Sequence, residues 1–167
     1  MHSIIFGFGG IPVIHMGDEL GLLNDSSYMN DETKASDNRW MHRPSMDWDK
    51  ALLRQDKNTI EGRIFRGLLH LIKVRKSTSL LHCFSYFHPM WTGNDSVLSY
   101  CQTRPEGTLM VLANFGEREQ SIDAKILEYA NMKRNIHNLL ASGAAPSIID
   151  GRIYLQTYEA MWLADYD

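Results

Sequence analysis

The sequence predicts two kinds of architecture in one chain of 167 residues: α/β structure over residues 1–80 and an antiparallel β-sandwich over residues 81–167. Three observations carry this. Residues 59–77 repeat apolar side chains at spacings near three and four, the period of an amphipathic helix. After about Leu81 that period gives way to short β-rich runs separated by turn residues. Ahead of the helix, Ile11-Pro12-Val13-Ile14-His15-Met16 is a short, almost continuously apolar run. Such a run is the pattern of a strand buried on both faces of a covered parallel sheet.

Taken in chain order, the apolar strand comes first. A parallel strand needs parallel neighbours, and no second run of this kind followed by a crossover helix exists here. From Gly17 to Lys57 comes a long polar stretch rich in Asp, Asn and Ser that also carries Arg39, Trp40, His42, Arg43 and Trp48. A loop of that length is functional or disordered, and guanidinium and aromatic groups together point to binding. Strand, long loop and helix in this order match one βα unit of a barrel.

The helix uses Ile60, Ile64, Phe65, Leu68, Leu69, Leu71, Ile72 and Val74 as its apolar set. Asn58 or Thr59 is the expected cap and Glu61 suits the positive first turn. The basic cluster Lys73-Val74-Arg75-Lys76 reads as a solvated helix face.

The strands expected after it are Cys83–Phe87, Ser96–Thr103, Thr108–Phe115, Ser121–Leu127, Arg134–Leu140, Arg152–Gln156 and Ala160–Leu163. Pro105-Glu106-Gly107 and Asp150-Gly151 are hairpin turns, because Gly supplies positive φ without steric cost. This spacing of strands indicates a sandwich or barrel.

Composition excludes several classes. With 44% apolar and 22% charged residues the chain is globular rather than disordered. A formal net charge of −3 gives no reason to expect nucleic acid or an anionic membrane as partner. The two cysteines, Cys83 and Cys101, form no disulfide framework and no metal-spaced cluster, and read as buried free thiols. His15, His42 and His70 make no metal constellation, and His70 falls in the helix pattern as a core or half-buried residue. No metal and no cofactor is expected. The first fourteen residues carry no Lys or Arg before the apolar run and are too short to span a bilayer, so a cytoplasmic protein is expected.

Gly10-Ile11-Pro12-Val13-Ile14-His15-Met16-Gly17-Asp18-Glu19-Leu20-Gly21 resembles the eighth barrel strand of the α-amylase family (glycoside hydrolase family 13). Leu23-Asn24-Asp25 and Ser36-Asp37-Asn38-Arg39-Trp40-Met41-His42-Arg43-Pro44 are similar to the following loop of its amylosucrase-like members. Leu71–Lys76 resembles the family's last barrel helix. Leu109–Phe115 and Leu155–Leu163 resemble strands of its C-terminal sandwich. The departures are His15, where a tyrosine is common, and Thr157, where a proline is common.

The resemblance implies the last βα unit of a (β/α)8 barrel over residues 1–80 followed by a sandwich domain over 81–167. It implies a C-terminal fragment of a transglucosylase moving glucose from sucrose to α-glucan, with the N-terminal barrel portion as a missing partner. Family members use a carboxylate nucleophile and a carboxylic acid about 5 Å apart, with a third Asp, on strands that would precede Ile11. No catalytic residue is therefore expected in this chain. Asp18 and Glu19, adjacent in sequence, would point to opposite sides of an extended segment and make no catalytic pair; they belong to the barrel rim.

Substrate-binding candidates are Arg39, Asp37, Arg43, Trp40, Asp18 and Glu19. The resemblance gives Arg39 an Asp partner from an earlier barrel loop. Arg43 is the alternative, since Arg43–Asp49 superficially matches a segment of related α-glucosidases. Trp40 and Trp48 either stack on pyranose faces or pack under the loop. Two other readings stand beside this one: another family member of the α-glucosidase or trehalose synthase type, and a stand-alone carbohydrate-binding accessory module.

Overall fold

The computed structural model describes residues 1–82, 86–133 and 135–166. In chain order these form α1 (His2–Gly7), three 3-10 turns (Asp18–Leu20, Ser26–Asn30 and Asn38–His42), α2 (Trp48–Leu53) and α3 (Ile60–Ser77). A further 3-10 turn, Ser79–Leu81, precedes β1 (Tyr86–Pro89), β2 (Val97–Arg104), β3 (Gly107–Asn114), β4 (Gln120–Asp123) and α4 (Lys125–Tyr129). The chain closes with β5 (His137–Asn138), β6 (Ile148–Ile149), β7 (Arg152–Leu155) and β8 (Ala160–Tyr166). Internal contacts group the chain into two units, Met1–Pro12 with Leu71–Asp167, and Val13–His70. That grouping differs from the division at 80/81 drawn from sequence texture: the first twelve residues belong with the β-rich part, and the boundary falls inside α3.

The β-rich unit is built of two antiparallel sheets, β1-β2-β3-β8-β5 and β4-β7-β6. The side chains that alternate onto one face of the larger sheet share a core with the smaller one. Cys101, Met110, Leu112, Met161 and Leu163 meet Ile122, Ile153 and Leu155 there. The opposite face carries Tyr100, Gln102, Val111 and Trp162, and α1 covers it. Tyr100 Oη donates to Ile4 O at 3.0 Å, Trp162 Nε1 to Ser3 O at 3.0 Å and Gln102 Nε2 to Gly7 O at 2.5 Å. With both faces covered, every residue of β3 is buried, which is why Leu109–Ala113 is uninterruptedly apolar. Gly7 permits the approach of α1: a Cβ there would lie 2.8 Å from Trp162 Nε1.

Arg75, near the end of α3, fastens the covering segment. Its Nη1 donates to Phe6 O (2.5 Å) and Phe8 O (2.7 Å), its Nη2 to Gly10 O (2.6 Å) and Leu81 O (3.3 Å). A residue expected on a solvated face is therefore a hub that donates to four backbone carbonyls. The helix itself begins as expected: Gly62 N donates to Thr59 Oγ1 at 3.0 Å, and Arg75 and Lys76 sit at its negative end.

Several expectations are corrected. Ile11–Met16 forms no strand, and Ile11 and Val13 are 92% and 78% exposed; a parallel-type strand without neighbours has nothing to pair with. Ser121–Leu127 is a strand only to Asp123. Asp123 Oδ1 then accepts Lys125 N at 2.9 Å, and Ile126, Leu127 and Ala130 enter the core at helical spacing. The run expected at Arg134–Leu140 pairs only at His137–Asn138 and turns into a 3-10 segment, because Asn138 Oδ1 accepts Leu140 N at 3.2 Å. Strand β6 was not anticipated, yet the Asp150-Gly151 turn that makes it was; both residues have positive φ, at 49° and 72°.

His70 is exposed rather than half-buried, and Trp48 is 73% exposed. Cys101 is a buried free thiol whose pKa burial pushes up, whereas Cys83 and Arg134 lie outside the described residues. Among the described residues no helix is long and apolar enough to cross a membrane.

Candidate functional site

The unit Val13–His70 is mostly loop, and its aspartates give it shape. Asp25, Asp31 and Asp37 each accept the backbone N–H two residues on, from Ser27 (2.8 Å), Thr33 (3.0 Å) and Arg39 (3.0 Å). Asp47 does the same three residues on, for Lys50 at 3.0 Å, and caps α2. These local bonds let short polar segments turn without a regular ladder. Longer-range bonds close the loop: Asp25 N donates to Met41 O at 2.9 Å, and His42 Nδ1 donates to Asn24 Oδ1 at 3.1 Å. The second bond fixes the tautomer of a neutral His42, since a carbonyl-type oxygen requires the proton on Nδ1.

Between these closed ends lies a cleft of ≈ 440 Å³ whose polar lining is His15, Asp18, Asn24, Arg39, His42 and Arg43. Gly17, at φ 102°, turns the chain at its edge. The adjacent carboxylates are used on backbone: Glu19 Oε2 accepts Gly17 N at 2.8 Å and Asp18 Oδ2 accepts His15 N at 3.3 Å.

The guanidinium of Arg39 is held by its own loop. Nε donates to Asp37 Oδ1 (2.8 Å) and Oδ2 (3.0 Å), and Nη2 donates to Oδ2 (2.7 Å). Those bonds from Arg39, with the nearby charge of Arg43, hold the Asp37 carboxyl down at about 2, and the same pairing raises the Arg39 pKa. The fork fixes the plane of the guanidinium, which has further N–H donors.

Of the six residues singled out from sequence, Asp18, Arg39 and Arg43 line the cleft. Asp37 holds Arg39. Glu19 stabilises the Gly17 turn. Trp40 stands under Lys34, whose Nζ lies 5.3 Å from the ring centroid. The Arg39 guanidinium pairs with Asp37 of its own loop. Sequence reasoning missed His15, Asn24 and His42 as lining residues. The Asn24–His42 bond spans eighteen positions, a separation with no periodic signal in sequence. Among the described residues no group of three or more His, Cys, Asp or Glu could hold a metal ion.

No family model matches the chain. Solved structures do. The chain is similar to AmyP in complex with maltose, at 16% identity and a TM-score of 0.73, over 97% of this chain and 33% of that one. It is similar to a Bacillus licheniformis trehalose-6-phosphate hydrolase at 14% identity and a TM-score of 0.68, over 99% and 38% of the two chains. It is also similar to a mutant of MutB in complex with the substrate sucrose, at 16% identity and a TM-score of 0.62, over 97% and 37%. These are α-amylase-family enzymes, and the fold shared is that of their C-terminal part, mostly antiparallel sheets. The chain spans about a third of the length of the structures it matches.

Proposed function

We propose that this chain is the C-terminal part of an amylosucrase-like transglucosylase of the α-amylase family. Residues 13–70 would then be the end of a (β/α)8 barrel carrying its last loop, and the two-sheet unit its C-terminal domain. The observation that carries the reading is the Arg39 guanidinium, held by Asp37 at the wall of a cleft lined with hydrogen-bonding groups. Sugar hydroxyls both donate and accept. Arg39 and Arg43 offer donors to them, while the His42–Asn24 pair offers an acceptor at Nε2 and a donor at the amide nitrogen. The fold shared with enzymes solved with maltose and sucrose supports the same substrate class.

In this reading the parent enzyme breaks the glycosidic bond of sucrose. A carboxylate takes the glucosyl group covalently while a carboxylic acid protonates the departing fructosyl oxygen, and a glucan hydroxyl then accepts the glucosyl group. Asp18 and Glu19 are engaged with backbone N–H groups and do not supply that pair. The work of this chain is binding and orientation, through Arg39, Arg43, His42 and Asn24.

Sucrose against maltose is the test. The longer protein carrying this chain should release fructose and extend α-glucan from sucrose, and the 167-residue chain alone should turn over neither sugar. Action on maltose without action on sucrose would replace the proposal by the α-glucosidase or trehalose synthase type. Turnover by the isolated chain would overturn the assignment of its residues to binding alone.

A further inference from the structure

One edge of the Arg39 cleft is formed by His15, Met16, Gly17 and Asp18. The residues leading into that edge have little to hold them. Among the described residues no hydrogen bond reaches Ile11, Pro12, Val13 or Ile14, and the Ile11 and Val13 side chains are exposed. The segment is stiff all the same. Pro12 fixes its own φ and confines Ile11 to extended backbone, and Val13 and Ile14 are β-branched. A stiff span without contacts of its own passes on the position of its ends, so the entry to the cleft edge depends on what holds Gly10.

Arg75 holds it. Tyr100, Gln102 and Trp162 grip the first residues of the chain at Ile4, Gly7 and Ser3, and none of their bonds reaches beyond Gly7. Among the described residues Arg75 is the one hydrogen-bond donor to Phe8 O and Gly10 O, at 2.7 and 2.6 Å. The same guanidinium donates to Leu81 O at 3.3 Å, which ties it to the exit of α3 as well.

The other end of the edge meets the same helix. Gly21, at φ 66°, lies against Ile64, where a Cβ would strike Ile64 Cδ1. Ile64 and Arg75 both belong to α3, one continuous helix. The stretch from Gly10 to Gly21 is thus tied to α3 at its two ends, by a charged hydrogen bond and by an apolar contact. Between the ties the bonds are local: Asp18 accepts His15 N and Glu19 accepts Gly17 N, which shapes the turn without fixing its place. We propose that Arg75 is a positioning residue for the Arg39 cleft, setting its His15–Asp18 edge through Gly10. The inference rests on the reading of that cleft as the binding site.

Hydrogen exchange in the isotope-labelled chain tests this without any sugar. The reporters are Leu20 and Leu22, whose N–H groups both donate to Gly17 O at 3.0 Å, and Leu112 of β3 reports global opening. Arg75→Ala should speed exchange at Leu20 and Leu22 at least about tenfold more than at Leu112. Tyr100→Phe frees the chain at Ile4 and leaves Gly10 held, so its ratio should stay at the wild-type value. If Arg75→Ala does not fold, Arg75→Lys is read by the same ratio, with a smaller rise expected. A ratio unchanged in the Arg75 variants, or an equal rise in Tyr100→Phe, would overturn the inference. In the longer protein the Arg75 substitution should raise the KM for sucrose about tenfold and leave kcat within about twofold, because the edge serves binding. A fall in kcat with KM unchanged would also overturn it. If the unaltered longer protein does not act on sucrose, the proposed function fails, and the exchange ratio still decides the role of Arg75.

Discussion

Arg39 and Asp37 face each other through three hydrogen bonds of 2.8, 3.0 and 2.7 Å, two residues apart in one exposed loop. Because the carboxylate also accepts the Arg39 backbone N–H, the pair fixes both the turn and the direction of the guanidinium.

That pair sets a pH dependence. The Asp37 carboxyl titrates at about 2 in the folded chain, against about 3.9 in an unfolded one. The native state thus binds its proton later, and the stabilisation is complete above about pH 4 and lost as pH falls through 2. A carbon-detected NMR titration should find Asp37 near 2, and Arg39→Ala should return it towards the ordinary carboxylate value. An unchanged midpoint in the variant would assign the depression to the backbone bond instead.

Arg75→Ala should loosen residues 1–10 from the outer face of the larger sheet. Four carbonyls lose a charged donor at once, and a cost of about 2–4 kcal/mol is expected. Denaturant unfolding measures it, and hydrogen exchange at residues 4–8 shows whether the loss is local. Arg75→Lys should recover only part, since one ammonium cannot hold the same fan of carbonyls.

Gly7→Ala tests the contact under α1. Its Cβ would fall 2.8 Å from Trp162 Nε1 and 2.9 Å from Val111 Cγ2, so the helix must lift or Trp162 must move. Overpacking of this kind costs about 1–3 kcal/mol. A red-shifted component in the tryptophan emission and a lowered unfolding midpoint are the expected readouts; a wild-type midpoint would mean that α1 moves freely.

Tyr100 should resist ionisation. Its phenol is buried and donates to Ile4 O, and burial pushes its pKa well up. In a spectrophotometric titration one tyrosine should ionise only with unfolding, and Tyr100→Phe should remove that late component.

Exposed Ile11, Val13 and Met16 should make the isolated chain bind hydrophobic dyes or self-associate. Replacing Ile11 and Val13 with Ser should reduce dye fluorescence several-fold. A dye-silent, monomeric wild-type chain would contradict this.

Wherever local chemistry suffices, the sequence was readable. The 3.6-residue period and Thr59 set α3, the turn residues Pro105-Glu106 and Asp150-Gly151 set two hairpins, and the β-rich run Thr108–Phe115 marked a strand. Arg39 and Arg43 drew attention because they share a long polar loop with Trp40 and Trp48, while Asp37 entered with the family resemblance. Tertiary structure decided what depends on distant partners. Ile11–Met16 has the pattern of a buried strand and is none here, since pairing needs a neighbour that pattern alone cannot supply. Arg75 read as a solvated charge and became a hub, because carbonyls more than sixty positions away converge on it. The Asn24–His42 bond, across eighteen positions, likewise arises only once the chain has folded back. Hydrogen-bond geometry is fixed in space, and its long-range part leaves no period in sequence.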